Sequence, residues 1–271
     1  MGSENRLIQM VVFDWAGTTV DYGSSAPSVV FDRVFTEAGL HLTREEINRP
    51  MGLEKKAHIR QLLSSENGST QWQQAYGRTW NEQDVDRLYE QFEQTLHTVV
   101  AEYSTPLSGV VETVDKLRGM GLKIGSTTGY NAAIMAEVLP GAKAAGYAPD
   151  CVVTPDMTGA GRPSPFMVFE CMRQLNIYPP RCVVKVGDTV VDMEEGKNAG
   201  TFAIGILTGS NLLGLTAEEY GAMPAGILEQ RKRVAADRYR AAGADLVIDS
   251  IRDLPAAIET LNERLRKEGN L

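Results

Sequence analysis

Residues 11–23 read VVFDWAGTTVDYG. An apolar, β-branched run stops at Asp14, and a tight turn of small and hydroxylated residues follows. Ligands of open parallel sheets bind beyond the carboxyl ends of the strands, so an aspartate at such an end is placed to act as a nucleophile. Position 16, two residues further on, holds alanine.

Working outward, LIQMVVFD (7–14) has five counterparts: LKIGSTTG (122–129), DCVVTPD (150–156), RCVVKVGDT (181–189), TFAIGIL (201–207) and ADLVIDS (244–250). Each is short, apolar and bounded by turn-forming residues, with helical stretches between. Near-continuous apolar strands alternating with helices predict a parallel sheet covered on both faces, an α/β Rossmann-like core.

The crossover after the first strand is interrupted by an insert of different character, residues 24–103. In VDRLYEQFEQTLHTVV (85–100), Val85, Leu88, Tyr89, Phe92 and Leu96 follow helical spacing with one buried face. The expected organisation is a catalytic core of residues 1–23 and 104–271 with an inserted all-helical cap, 24–103. Linkers at 22–25 and 102–106 would hinge that cap over Asp14. In the stretch 214–243, Pro224 is expected to open or kink a helix.

The 271 residues are 43% hydrophobic and 23% charged, with a net charge of −8, which argues against a nucleic-acid or membrane-surface binder. Cys151, Cys171 and Cys182 have no CxxC spacing and read as buried, reduced thiols of a cytoplasmic protein. No segment has the ~18 apolar residues of a membrane span. The start MGSENR carries Arg6 where a myristoylation signal needs Ser or Thr.

The strand ends supply a site. Asp14, Ala16 and Thr18 follow the first, Thr127 and Thr128 the second. Arg162 lies near the third at an expected helix start, and Asp188 follows the fourth with Asp192 one helical turn on. Hard oxygen ligands beside an arginine and a hydroxyl suit magnesium and a phosphoryl group. Arg162 would balance phosphoryl charge, Thr128 would donate to a phosphoryl oxygen, and Asp14 would attack phosphorus.

FDWAGTTVD, GSTTGY, AGRP and KVGDTVVDM, in that order, resemble the four motifs of the haloacid dehalogenase superfamily, and the insert resembles its helical cap. Phosphatases and phosphomutases of that superfamily carry DxD, whose second aspartate protonates a leaving oxygen. Ala16 cannot do so. A leaving group on carbon would need an electron sink instead, and a lysine imine is one. In NRPMGLEKKAHIRQLL (48–63), a helix of about 100° per residue puts Met51, Lys55, His58, Ile59 and Leu62 on one face, with Lys56, Arg60 and Leu63 turned away. Glu54 is expected to point outward. Burial and nearby positive charge would favour the neutral amine of Lys55.

FDWAGTTVDYG, PMGLxK and GSTTGY together resemble the phosphonatase branch of the superfamily. That resemblance implies hydrolysis of the C–P bond of phosphonoacetaldehyde, in 2-aminoethylphosphonate degradation, by a magnesium-dependent homodimer. It implies Asp14 as nucleophile and Lys55 as the imine-forming residue. Asp14, the Ala16 carbonyl and Asp188 would hold magnesium with support from Asp192, and Met51, Gly52, His58, Thr128, Tyr130 and Arg162 would bind substrate. His58, Tyr130 and a water stay open as proton carriers to the enamine. The alternatives are a magnesium-dependent phosphatase or phosphomutase acting on a small phosphate ester, a metal-free dehalogenase, and an inactive phosphate-binding protein.

Overall fold

All six apolar runs form strands, and every pairing between them is parallel. The computed structural model describes residues 7–268, so the opening MGSENR lies outside the described residues. The strands are β1 (Met10–Phe13), β2 (Lys123–Thr127), β3 (Cys151–Val153), β4 (Val183–Gly187), β5 (Phe202–Ile206) and β6 (Leu246–Ile248). Their order is β3-β2-β1-β4-β5-β6. β1 is central, with Val12 in register with Gly125 on one side and Lys185 on the other. The order reverses there, which opens a crevice beyond the ends of β1 and β4. β1 and β4 are buried along their whole length, as strands covered on both faces must be.

Between β1 and the return of the chain at Pro106 come five α-helices and no described strand: α1 (Ser25–Glu37), α2 (Arg44–Asn48), α3 (Lys55–Ser64), α4 (Glu66–Tyr76) and α5 (Glu82–His97). They pack around Phe31, Trp72, Leu88 and Phe92, with the Phe31 and Phe92 rings stacked at 4.2 Å. Val85, Leu88, Phe92 and Leu96 of α5 are fully buried and Tyr89 partly so, which is the face expected from spacing. The chain leaves for these helices and returns beside itself. Val20 bridges Pro106, and the Leu107 amide donates to the Thr19 carbonyl at 2.8 Å.

The other helices are α6 (Val110–Gly119), α7 (Ala132–Ala144), α8 (Pro155–Thr158), α9 (Phe166–Leu175), α10 (Val190–Asn198), α11 (Ala217–Ala222), α12 (Ala225–Ala241) and α13 (Leu254–Glu268). Pro224 opens α12, and the three cysteines are buried. Among the described residues, no helix is long and apolar enough to cross a membrane.

Three local expectations need correction. Met51 is not on the helix of Lys55, because Gly52 adopts a left-handed φ of 93° and α3 begins only at Lys55. Leu63 is buried with Ile59 and Leu62 instead of facing out, since α3 lies between α4 and α5. Arg162 is not at a helix start: it precedes a cis bond to Pro163, and α9 begins at Phe166.

Candidate active site

The turn after β1 is fixed from several directions. The Asp14 amide donates to the Val186 carbonyl at 2.9 Å, holding the residue to β4. The Trp15 carbonyl accepts from the amides of Thr18, Thr19 and Val20, and the Trp15 indole donates to Ser126 Oγ at 2.9 Å. Gly17 has a φ of 82°, and a Cβ there would lie 2.1 Å from Asp188 Oδ2. Only glycine fits that close approach.

Carboxylate oxygens of Asp14, Asp188 and Asp192 lie within 4.8 Å of one another, all buried. They differ in what neutralises them. Asp192 caps α10 through Thr189 and meets Lys185 Nζ at 2.9 Å and Arg162 at 3.1 Å. Burial opposes its ionisation, but these two cations hold its carboxyl below the usual range. Asp188 accepts from Thr18 Oγ1 and the Asn211 amide. Burial, then Asp14 and Asp192, push its carboxyl well above the usual range. With Glu195, four buried carboxylates face two cations, Arg162 and Lys185. The imbalance of two negative charges and the all-oxygen donors fit a hard divalent cation between Asp14 and Asp188.

Arg162 is the hub of this layer. It donates to Asp14 at 2.7 Å, Glu195 at 3.1 Å and Thr127 Oγ1 at 2.9 Å. Burial disfavours its charge, yet Asp14, Asp192 and Glu195 raise its pKa further. Lys185 and Glu195 were not singled out from sequence. The one available signal was a lysine inside the otherwise apolar run VVKVG.

From the helical side comes Lys55, the first residue of α3 and only 4% exposed. Its ammonium lies 5.2 Å from the Tyr130 ring centroid and 5.9 Å from that of Phe31. Burial lowers its pKa to about 8, Arg162 adding to the effect while Asp14, Glu54 and Asp21 oppose it. Glu54 turns back on its own helix, accepting from the Lys56 and Ala57 amides.

Asp14, Ala16, Met51, Gly52, Lys55, Thr128, Tyr130 and Arg162 line one small cavity. Asp188 and Asp192 lie in the layer beside Asp14. His58 is not part of the lining. Its ring packs on Phe31 at 4.0 Å and Nε2 donates to the Ile47 carbonyl at 2.9 Å, so it backs the lysine helix. Burial and the Lys55 charge hold its pKa well below the usual imidazole range. Thr189, which follows β4, also lines the cavity, and so does Ser24, which was not anticipated. Nearby Asp21, with a φ of 53°, caps α1 through the Ser25 and Ala26 amides, and burial raises its pKa to about 7. Sequence offered no signal for Ser24 beyond its place in the linker.

A family model for haloacid dehalogenase-like hydrolase matches residues 8–200. The chain is 46% identical over 257 residues to a phosphonoacetaldehyde hydrolase of Bacillus cytotoxicus, covering 95% of this chain and 97% of that one. It is 46% identical over 260 residues to a phosphonoacetaldehyde hydrolase of Parabacteroides distasonis, covering 96% and 98%. A crystal structure of a phosphonoacetaldehyde hydrolase-like protein from Oleispira antarctica superposes with a TM-score of 0.93 at 36% identity, covering 96% and 94%. The chain belongs to the haloacid dehalogenase-like hydrolases, and within them to the group whose members carry the name phosphonoacetaldehyde hydrolase.

Proposed function

We propose that this hydrolase cleaves the C–P bond of phosphonoacetaldehyde, giving acetaldehyde and phosphate in the breakdown of 2-aminoethylphosphonate. One observation carries the reading. A buried amine with a pKa near 8 shares a single small cavity with Asp14, while position 16 offers no acid.

Lys55 attacks the aldehyde carbon, water leaves, and a protonated imine forms. Asp14 then attacks phosphorus, and the C–P bonding electrons flow to the imine nitrogen, leaving a neutral enamine instead of a carbanion. Protonation at carbon and addition of water release acetaldehyde and free Lys55. A second water hydrolyses the aspartyl-phosphate to phosphate and Asp14. Arg162 and Thr128 hold phosphoryl oxygens throughout. Magnesium bound by Asp14, the Ala16 carbonyl and Asp188, with Asp192 in support, would screen the repulsion between the carboxylate and the phosphoryl group.

On this reading residues 24–103 form a cap domain that delivers Lys55, Met51 and Gly52 to the core, with His58 packed behind the lysine. A cytoplasmic homodimer belongs to the same proposal. With magnesium present, phosphonoacetaldehyde should yield acetaldehyde and phosphate in equal amounts, and borohydride added with substrate should fix substrate carbon on Lys55. Full turnover by Lys55→Ala, or equally efficient hydrolysis of simple phosphate monoesters, would replace this reading with a phosphatase.

A further inference from the structure

The loop 50–54 carries Lys55 into the site, and it meets core backbone at two glycines. A Cβ on Gly129 would fall 2.7 Å from the Leu53 carbonyl oxygen and 3.2 Å from that of Gly52. A Cβ on Gly161 would fall 2.9 Å from the Glu54 Cβ. Neither glycine has a positive φ, so backbone conformation does not call for glycine at either place. What calls for it is space. Gly52 also makes close approaches, to Thr189 and Val191, but its left-handed backbone is a sufficient reason for glycine by itself.

The two glycines come from separate core segments, one following β2 and the other preceding α9. They also lie at a boundary. An outer cleft lined by Glu54, Lys55, Gly129, Gly161 and Arg162, among others, shares Lys55, Gly129 and Arg162 with the inner cavity. The strip where loop 50–54 meets Gly129 and Gly161 therefore lies between the two.

We propose that Gly129 and Gly161 are positioning residues, whose missing side chains provide the clearance that lets loop 50–54 seat on the core and bring Lys55 to Asp14. The assignment rests on Lys55 being the imine-forming amine. The obstacles facing an added methyl are a backbone oxygen and the root of a side chain, neither of which a rotamer change can move. The loop would have to lift, and Lys55 at its end would lift with it. A misplacement of about 1 Å costs on the order of a hundredfold in rate.

Gly129→Ala and Gly161→Ala test this in the full chain with magnesium. Turnover should fall by on the order of a hundredfold. Lys55 should react roughly tenfold faster with a bulky amine reagent at pH 7, the protection of a shielded group being lost as its cover opens. Gly119→Ala, whose added carbon meets nothing within 4 Å, should leave both readings unchanged. In a Glu54→Gly background the colliding Cβ is absent, so adding Gly161→Ala should cost no further turnover, a non-additivity that a general folding defect would not give. Wild-type turnover in both alanine variants overturns the assignment, as does unchanged Lys55 labelling or an equal loss from Gly161→Ala in both backgrounds. If the variants expose Lys55 while borohydride traps no substrate on the wild-type lysine, the seating stands and the imine chemistry falls.

Discussion

Arg162 and Asp14 are joined by a 2.7 Å ion pair whose two side chains are both shut away from water. The same guanidinium reaches Asp192 and Glu195 at 3.1 Å, so one cation serves three carboxylates. Asp14 is the member of the three that also faces the cavity. The arginine thus holds the acidic layer together and, on the proposed reading, would present its charge to a phosphoryl group.

Arg162→Ala leaves Asp14 without its ion pair, and Asp192 and Glu195 with Lys185 as their remaining partner. Removing one partner of a buried pair costs about 3–5 kcal/mol. Urea denaturation should show a loss of that size, together with weakened phosphate binding. A loss under ~1 kcal/mol, the range of exposed pairs, would mean that the layer is solvated in solution.

Lys55 is expected to oppose stability while serving chemistry. Its folded pKa is about 8 against 10.5 for the free side chain. Below pH 8 both folded and unfolded chains carry the proton, and the folded state bears the full cost of the buried ammonium. Between 8 and 10.5 the folded state gives up its proton first, so the Lys55 contribution to stability rises with pH. Lys55→Met should therefore stabilise the fold at pH 7, by at most ~3 kcal/mol, and abolish turnover. Melts at pH 7 and pH 10.5 decide it: the gain should shrink towards zero at the higher pH, and an equal gain at both would assign it to packing.

Asp188, without a cation, is a repelled carboxyl with a raised pKa. Its contribution to stability is present below the ordinary carboxylate range and is lost as pH rises through its folded pKa. At neutral pH, Asp188→Asn in metal-free buffer should be at least as stable as the wild type. Millimolar magnesium should raise the wild-type melting temperature and leave the variant's unchanged. Turnover surviving in chelator would remove the metal from the account.

The sheet was legible because its central strands β1 and β4 are buried on both faces, and each strand appears as a short apolar run between turn residues. α5 was legible because one face alone is buried, which writes the helical period into the sequence. The start of α3 was not. A wheel drawn from Met51 assumes helical backbone through Gly52, and nothing in composition announces its left-handed turn. In the site, Asp14, Lys55 and Asp188 stood at strand and helix ends where motifs mark them. Lys185 and Glu195 were missed because their partners are distant in sequence: a lysine in β4 makes sense only once Asp192 and Glu195 of α10 are seen beside it. His58 was assigned to the correct face of its helix, but the face alone could not tell a cavity wall from the packing behind it.

The Val20–Pro106 bridge and the Thr19–Leu107 hydrogen bond tie the two arms of the helical insert together just past the Asp14 turn. Whatever is threaded between those arms enters and leaves by one narrow doorway, and the sheet need not register how long or how shaped it is. A lineage could therefore exchange one helical insert for another while the strands and their acidic layer go on folding as before.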